Sequence, residues 1–300
     1  MTEFGEELFA PANGLQLCYQ EMGEPDGEPL LLVMGMATQL LGWDERLCSL
    51  LAERGFRVVR FDNRDIGRST KLASAGAPSL IDTVTGRRAS AAYLLRDMAA
   101  DGFGLMDHLG WDSANIVGAS MGGMIVQTMA IERPERVRSL VSIMSTTGNR
   151  LTGLPTLKAL GILVAKRPSD RDAFIERGVR TFRLIGSPGY PFDEQRVRQL
   201  AASAYDRGVS AAGVARQLHA ITASGDRTRG LESLSLPATV IHGNRDPMVR
   251  PSGGRATAAA IPNSRLKIID GMGHDLPREL HPTFAEEIAA TAARAERVAV

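Results

Sequence analysis

Ser120 lies in Gly118-Ala119-Ser120-Met121-Gly122, a G-x-S-x-G pattern. The apolar segment ANIV precedes it, and the helix-like run MIVQTMAI follows. A strand, a sharp turn and a helix in that order expose a serine hydroxyl at the carboxyl edge of a sheet, where open α/β sheets hold ligands. Glycine at 118 and 122 keeps side chains out of the crowded turn. The same residues also fit a plain Gly-rich turn with Ser120 as a helix N-cap. The chemical reading requires a base, because a serine hydroxyl is a weak nucleophile at neutral pH. Of five histidines, His274 in Gly271-Met272-Gly273-His274 follows the strand-like RLKIID and reaches the same sheet edge as Ser120. His108 falls in a helix, His219 in a central helical region, His242 at a strand end and His281 at the start of a late helix. A base in turn needs a carboxylate to fix its tautomer and stabilise the imidazolium. Asp246, in the loop His242-Gly243-Asn244-Arg245-Asp246-Pro247, also follows a strand. Asp270 belongs to its own strand, and Asp275 is tethered too closely to His274 to reach back easily.

Ser120, Asp246 and His274 thus occur in the order Ser…Asp…His, each after a successive strand end. Acyl transfer on such a triad needs two backbone N–H donors for the developing oxyanion. The Met121 amide, just after the serine, is one candidate. The Met36 amide is the other, in the loop after PLLLVM, where Gly35 lets the backbone turn toward Ser120. Leu40, Trp43, Met121, Met144 and Met272 are the expected pocket wall, together with Gly35 and Met36. Methionine suits an adaptable apolar wall.

These residues must be carried by strands and helices in alternation. LQLCYQEM (15–22), PLLLVM (29–34), FRVVRF (56–61), ANIVGAS (114–120), VRSLVSIM (137–144), PATVIHG (237–243) and RLKIID (265–270) read as strands. Helical spacing recurs near 43–54, 93–109, 121–132, 252–260 and 282–296. The alternation predicts a mostly parallel sheet with helices on both faces. It stops between residues 147 and about 232, which contain helix-like stretches and no convincing strand. The expected layout is a core of 1–146 and 233–300 with a helical insertion at 147–232. Arg167, Arg171, Arg177, Arg180 and Arg183 in that insertion read as a solvated face.

Composition narrows the class further. The chain has 300 residues, is 44% hydrophobic and 23% charged, as globular chains are. Its 35 Lys and Arg against 34 Asp and Glu leave a formal net charge of +1, so no global field recruits nucleic acid or anionic lipid. Aromatic residues make up only 5%, too few for a base-stacking surface. The longest apolar run, Leu30 to Met34, is far too short to span a bilayer. Cys18 and Cys48 fit no metal-ligand spacing and read as reduced thiols of a cytoplasmic protein.

The motifs resemble the α/β-hydrolase superfamily over nearly the whole chain. LLVMGMATQLLGW resembles its oxyanion loop, VGASMGG its nucleophile turn and GMGHDLP its histidine loop. FDNRDIGRST (61–70) resembles the D-x-R-G-x-G-x-S element, with Asp65 where glycine is commoner. VMG in place of HG, with RDIGRST and GMGH-x-LP, is similar to aclacinomycin methylesterase-like bacterial hydrolases. The resemblance implies an α/β-hydrolase fold with the insertion as a lid, and Arg64 and Ser69 as braces of the site loops. It implies hydrolysis of a carboxylic ester of polyketide type with no cofactor or metal. A small-molecule ester is then the expected partner, without nucleic acid or membrane, on a monomer or homodimer. Lactonase, thioesterase, C–C hydrolase and amidase chemistry share the triad, as does cofactor-free perhydrolysis. A ligand-binding protein on the same scaffold is a further alternative.

Overall fold

A computed structural model describes residues 4–165 and 168–296. The expected core and insertion segments therefore extend, at 1–3, 166–167 and 297–300, outside the described residues, and so does Arg167. In chain order the elements are β1 (Leu8–Ala12), β2 (Leu15–Met22), β3 (Glu28–Val33), α1 (Glu45–Ala52), β4 (Phe56–Phe61), α2 (Leu80–Thr85), α3 (Leu95–His108), β5 (Ala114–Ala119), α4 (Met121–Glu132) and β6 (Val137–Ile143). There follow α5 (Leu157–Val164), α6 (Arg171–Ile185), α7 (Glu194–Arg207), α8 (Ala211–Ser224) and α9 (Thr228–Glu232). The sheet then resumes with β7 (Ala238–Gly243), α10 (Pro251–Ala260), β8 (Arg265–Ile269) and α11 (His281–Glu296).

The eight strands form one sheet in the order β1-β2-β4-β3-β5-β6-β7-β8. Pairing is parallel from β4 through β8, and antiparallel for β1 with β2 and β2 with β4. The central strands are buried along most of their length because both faces of the sheet are covered. Leu31 and Val33 join residues of α3 and α4 in one core, while Leu30 and Leu32 join residues of α1 and α11 in the other. This is the α/β-hydrolase arrangement, a mostly parallel sheet between helical layers.

Strand β1 is an additional strand, beyond the seven expected. It lies at the sheet edge and contains Pro11, which an edge strand tolerates because one row of its amides needs no partner. Asn13 and Gly14 turn the chain into β2 with φ of 50° and 76°, the hairpin geometry that an Asn-Gly pair favours. Helix α2 likewise had no strong periodic signal, being only six residues long with Leu80, Ile81 and Val84 exposed.

Chain order reverses between β3 and β5: β4 lies to one side of β3 and β5 to the other. Loops leaving two such strands diverge and open a crevice at their carboxyl ends. The register sets Val33 beside Gly118, so the loop after β3 and the turn after β5 start side by side. The helical segment between β6 and β7 packs over that crevice, with no strand among its described residues.

Candidate active site

Ser120 ends the β5 segment in a backbone conformation of φ 56°, ψ −119°. L-residues rarely occupy this region, so surrounding contacts must hold it. The Ser120 N–H donates to the Ile143 carbonyl at 2.9 Å, and the Ser145 hydroxyl donates to the Ser120 carbonyl at 2.8 Å. A side chain at Gly118 would lie 2.2 Å from the Gly122 carbonyl oxygen, and one at Gly122 would lie 2.0 Å from that of Val33. Glycine at both positions is therefore required sterically.

The Ser120 hydroxyl faces His274 Nε2 across 2.9 Å, and His274 Nδ1 faces Asp246 Oδ2 across 2.7 Å. Asp246 Oδ1 accepts the Met248 and Val249 amides at 2.8 and 2.9 Å. Burial pushes the Asp246 carboxyl toward neutrality. The charge available on His274 and hydrogen bonds from His242 and His274 outweigh burial and hold it well below the usual carboxylate range. An ionised Asp246 accepts only, so Nδ1 carries the proton and Nε2 presents its lone pair to the Ser120 O–H. Such an arrangement can deprotonate a serine during attack on a carbonyl.

A Cβ at Gly35 would stand 3.0 Å from Ser120 Cβ, so the loop after β3 runs directly against the serine. The Met36 and Met121 amides have no acceptor among the described residues. Met121 also heads α4, whose dipole favours negative charge at that end. Asn63 Nδ2 donates to the Met34 carbonyl, and Gln217 Oε1 accepts the Ala37 amide, each holding this loop.

A cavity of about 990 Å³ opens above Ser120 and His274, at the upper end of ordinary small-molecule pockets. Gly35, Met36 and Met144 line it as expected, facing Phe174, Phe182, Tyr190 and Phe192 of the helical segment. Leu40, Trp43 and Met272 do not line it and are 0% exposed. Leu40 starts a tight turn with its amide bound to Asp62 Oδ1, so the next residue, Leu41, faces the cavity instead. Trp43 packs with Leu47 and Cys48 in the core beneath. Met272 packs under the histidine loop against Gly243, because the chain turns between it and His274. The Met121 side chain also joins the core, leaving its amide as the relevant group. Arg171, Arg180 and Arg183 are exposed, as a solvated face requires, whereas Arg177 is half-buried where it lines the cavity.

The braces around the loops are only partly those expected. Arg64 binds Asp101 of α3 through two hydrogen bonds of 2.6 Å. The Ser69 hydroxyl links the Asp62 carbonyl to the Cys18 amide. Asp65 adopts φ 71°, where glycine is easier, yet its carboxylate has a structural partner in Arg216 of α8. Gln217 and Arg216 had no sequence signal, because their partners lie about 150 residues away.

Residues 28–277 match the family model of the α/β hydrolase fold. The chain belongs to that family. Among α/β hydrolases it is 29% identical over 296 residues to rhodomycin D methylesterase DnrP of Streptomyces peucetius, covering 90% of this chain and 92% of that one. It is 25% identical to 3-oxoadipate enol-lactonase 2 of Acinetobacter baylyi, with 86% of each chain covered. The enol-lactonase structure from Burkholderia xenovorans shares the fold with a TM-score of 0.73 at 23% identity, over 95% of this chain and 100% of that one. An esterase structure from Rhodococcus sp. ECU1013 shares it with a TM-score of 0.69 at 19% identity, covering 96% and 98%.

Proposed function

We propose that the protein is a serine hydrolase that cleaves a carboxylic ester through an acyl-enzyme. The carrying observation is the unbroken chain from Asp246 through His274 to the Ser120 hydroxyl on the cavity floor. His274 Nε2 takes the serine proton as Oγ attacks the ester carbonyl. The ionised Asp246 stabilises the resulting imidazolium. The Met36 and Met121 amides receive the oxyanion, each such donor being worth about 3–4 kcal/mol in related chemistry. The imidazolium then protonates the departing alkoxide, and the acyl-enzyme forms. Water, deprotonated by the same nitrogen, releases the acid and restores Ser120.

The methylesterase relatives support a methyl ester of a bulky polyketide-like substrate. The large cavity walled by Phe174, Phe182, Tyr190 and Phe192 supports the same class, since aromatic faces suit a flat apolar ligand. In this reading helices α5 to α9 act as a lid over the core. All groups named come from one chain, so a monomer or homodimer works equally. The buried free thiols of Cys18 and Cys48 agree with a reducing, cytoplasmic setting.

The test is hydrolysis of p-nitrophenyl acetate, butyrate and octanoate and of a polycyclic aromatic methyl ester, by wild type and Ser120→Ala. The proposal expects turnover in wild type and its loss in the variant, with the aromatic methyl ester preferred. Equal inertness of both proteins toward every ester would overturn it.

A further inference from the structure

The loop carrying His274 leaves β8, the edge strand of the sheet, so no further strand supports its outer side. The last residue of α6 and the segment between α6 and α7 fill that place. The His274 amide donates to the Ile185 carbonyl at 2.7 Å, and the Gly189 amide donates to the Gly271 carbonyl at 2.9 Å. The Tyr190 hydroxyl donates to the Asp270 carbonyl at 3.2 Å. At the centre, Ser187 Oγ accepts the Gly273 amide at 2.8 Å and donates its proton to Asp275 Oδ1. One hydroxyl thereby joins the residues on both sides of His274.

The two loops touch through glycine. A Cβ at Gly273 would lie 2.2 Å from the Gly186 carbonyl oxygen, and one at Gly189 would lie 2.6 Å from Gly271 Cα. So close a backbone approach leaves no slack for either loop to slide. Asp275, half-buried against the cavity, leaves its carboxylate facing Ser187.

We infer that Ser187 is a positioning residue that holds His274 at its working distance from both Ser120 and Asp246. This rests on the reading of His274 as the base. Ser187 acts through the loop, by fixing Gly273 and Asp275, and takes no proton from substrate. The position of α6 and α7 is thereby passed to the base.

The test compares Ser187→Ala, Ser187→Thr and His274→Ala with wild type in the full chain. Readouts are kcat and KM for p-nitrophenyl butyrate, the rate of Ser120 labelling by a fluorophosphonate, and Tm. A misplacement approaching 1 Å costs up to about a hundredfold in rate. Ser187→Ala is expected to lower kcat and labelling rate together by about tenfold or more, with KM within about twofold. Ser187→Thr, which keeps the hydroxyl, is expected to recover most of both rates. Unchanged kcat in Ser187→Ala, a rise confined to KM, or a threonine variant as slow as alanine would each overturn the inference. Full activity of His274→Ala would instead overturn the underlying reading, which separates the two failures.

Discussion

Asp65 and Arg216 face each other through two parallel hydrogen bonds, Nε to Oδ2 at 2.7 Å and Nη2 to Oδ1 at 2.6 Å. Both are buried, and the pair joins the loop after β4 to helix α8. Burial opposes ionisation of Asp65, but the Arg216 bond, the Leu72 amide and the Tyr93 hydroxyl hold its carboxyl below the ordinary range. Asp65 thus accepts an unfavourable φ while fastening helix α8 to the loop after β4. Removing one member of a buried pair leaves the other charge uncompensated, at about 3–5 kcal/mol.

Asp65→Gly should therefore destabilise the protein by roughly that amount, even though glycine suits φ 71° better. Asp65→Gly combined with Arg216→Met should recover most of the loss. Urea unfolding of the single and double variants reads both. A single variant within about 1 kcal/mol of wild type would contradict the role given to the pair.

Asp246→Asn keeps the side-chain shape but can donate from its amide to His274 Nδ1. That favours the tautomer with the proton on Nε2, where the lone pair is needed. The expected loss in kcat is about 10⁴-fold, as for other triads so altered. Because the carboxyl of Asp246 is held well below its ordinary 3.8, its charge is present throughout neutral and mildly acid assays. The stability it confers is present above that ordinary value and lost only as pH falls further, through the depressed value. The kcat ratio of wild type to variant should hence persist in mildly acid assays. A ratio below about tenfold would contradict the tautomer argument.

His281 gives a stability prediction of its own. Burial pushes its imidazole down to about 4 from 6.5, against the attraction of Asp44. Its Nε2 donates to the Leu276 carbonyl, while Nδ1 is buried without a hydrogen-bond partner among the described residues. In the unfolded chain the ring binds a proton at higher pH than in the folded one. Stability is thus full above about 6.5 and declines as pH falls toward 4. At about 1.4 kcal/mol per pKa unit the decline amounts to about 3 kcal/mol. His281→Gln should flatten this part of the stability profile. Parallel profiles for variant and wild type between pH 7 and 4.5 would contradict it.

The parts of the site legible in the sequence are those fixed by short-range rules. Gly118 and Gly122 bracket a turn whose sterics are local, and Ser120, Asp246 and His274 each follow the end of a strand. Pocket residues were less legible, because facing depends on phase. Leu40 and Leu41 are equally apolar, yet only Leu41 lines the cavity. Met272 and His274 share a loop, and the chain turns one into the core and the other toward Ser120. Ser187, Arg216 and Gln217 act on loops 86 to 180 residues distant, and nothing in their immediate neighbours marks them. Strand β1 is signalled only by Asn13-Gly14, since Pro11 interrupts its strand pattern.

The central claim is that Ser120 becomes acylated with His274 as its base. Intact-mass measurement after a fluorophosphonate probe, followed by peptide mapping, tests it most directly in wild type, Ser120→Ala and His274→Ala. One adduct per wild-type chain, mapped to Ser120, is expected, with none on Ser120→Ala and strongly slowed labelling of His274→Ala. An unlabelled wild type that still hydrolyses esters, or an adduct mapped to another residue, would contradict it.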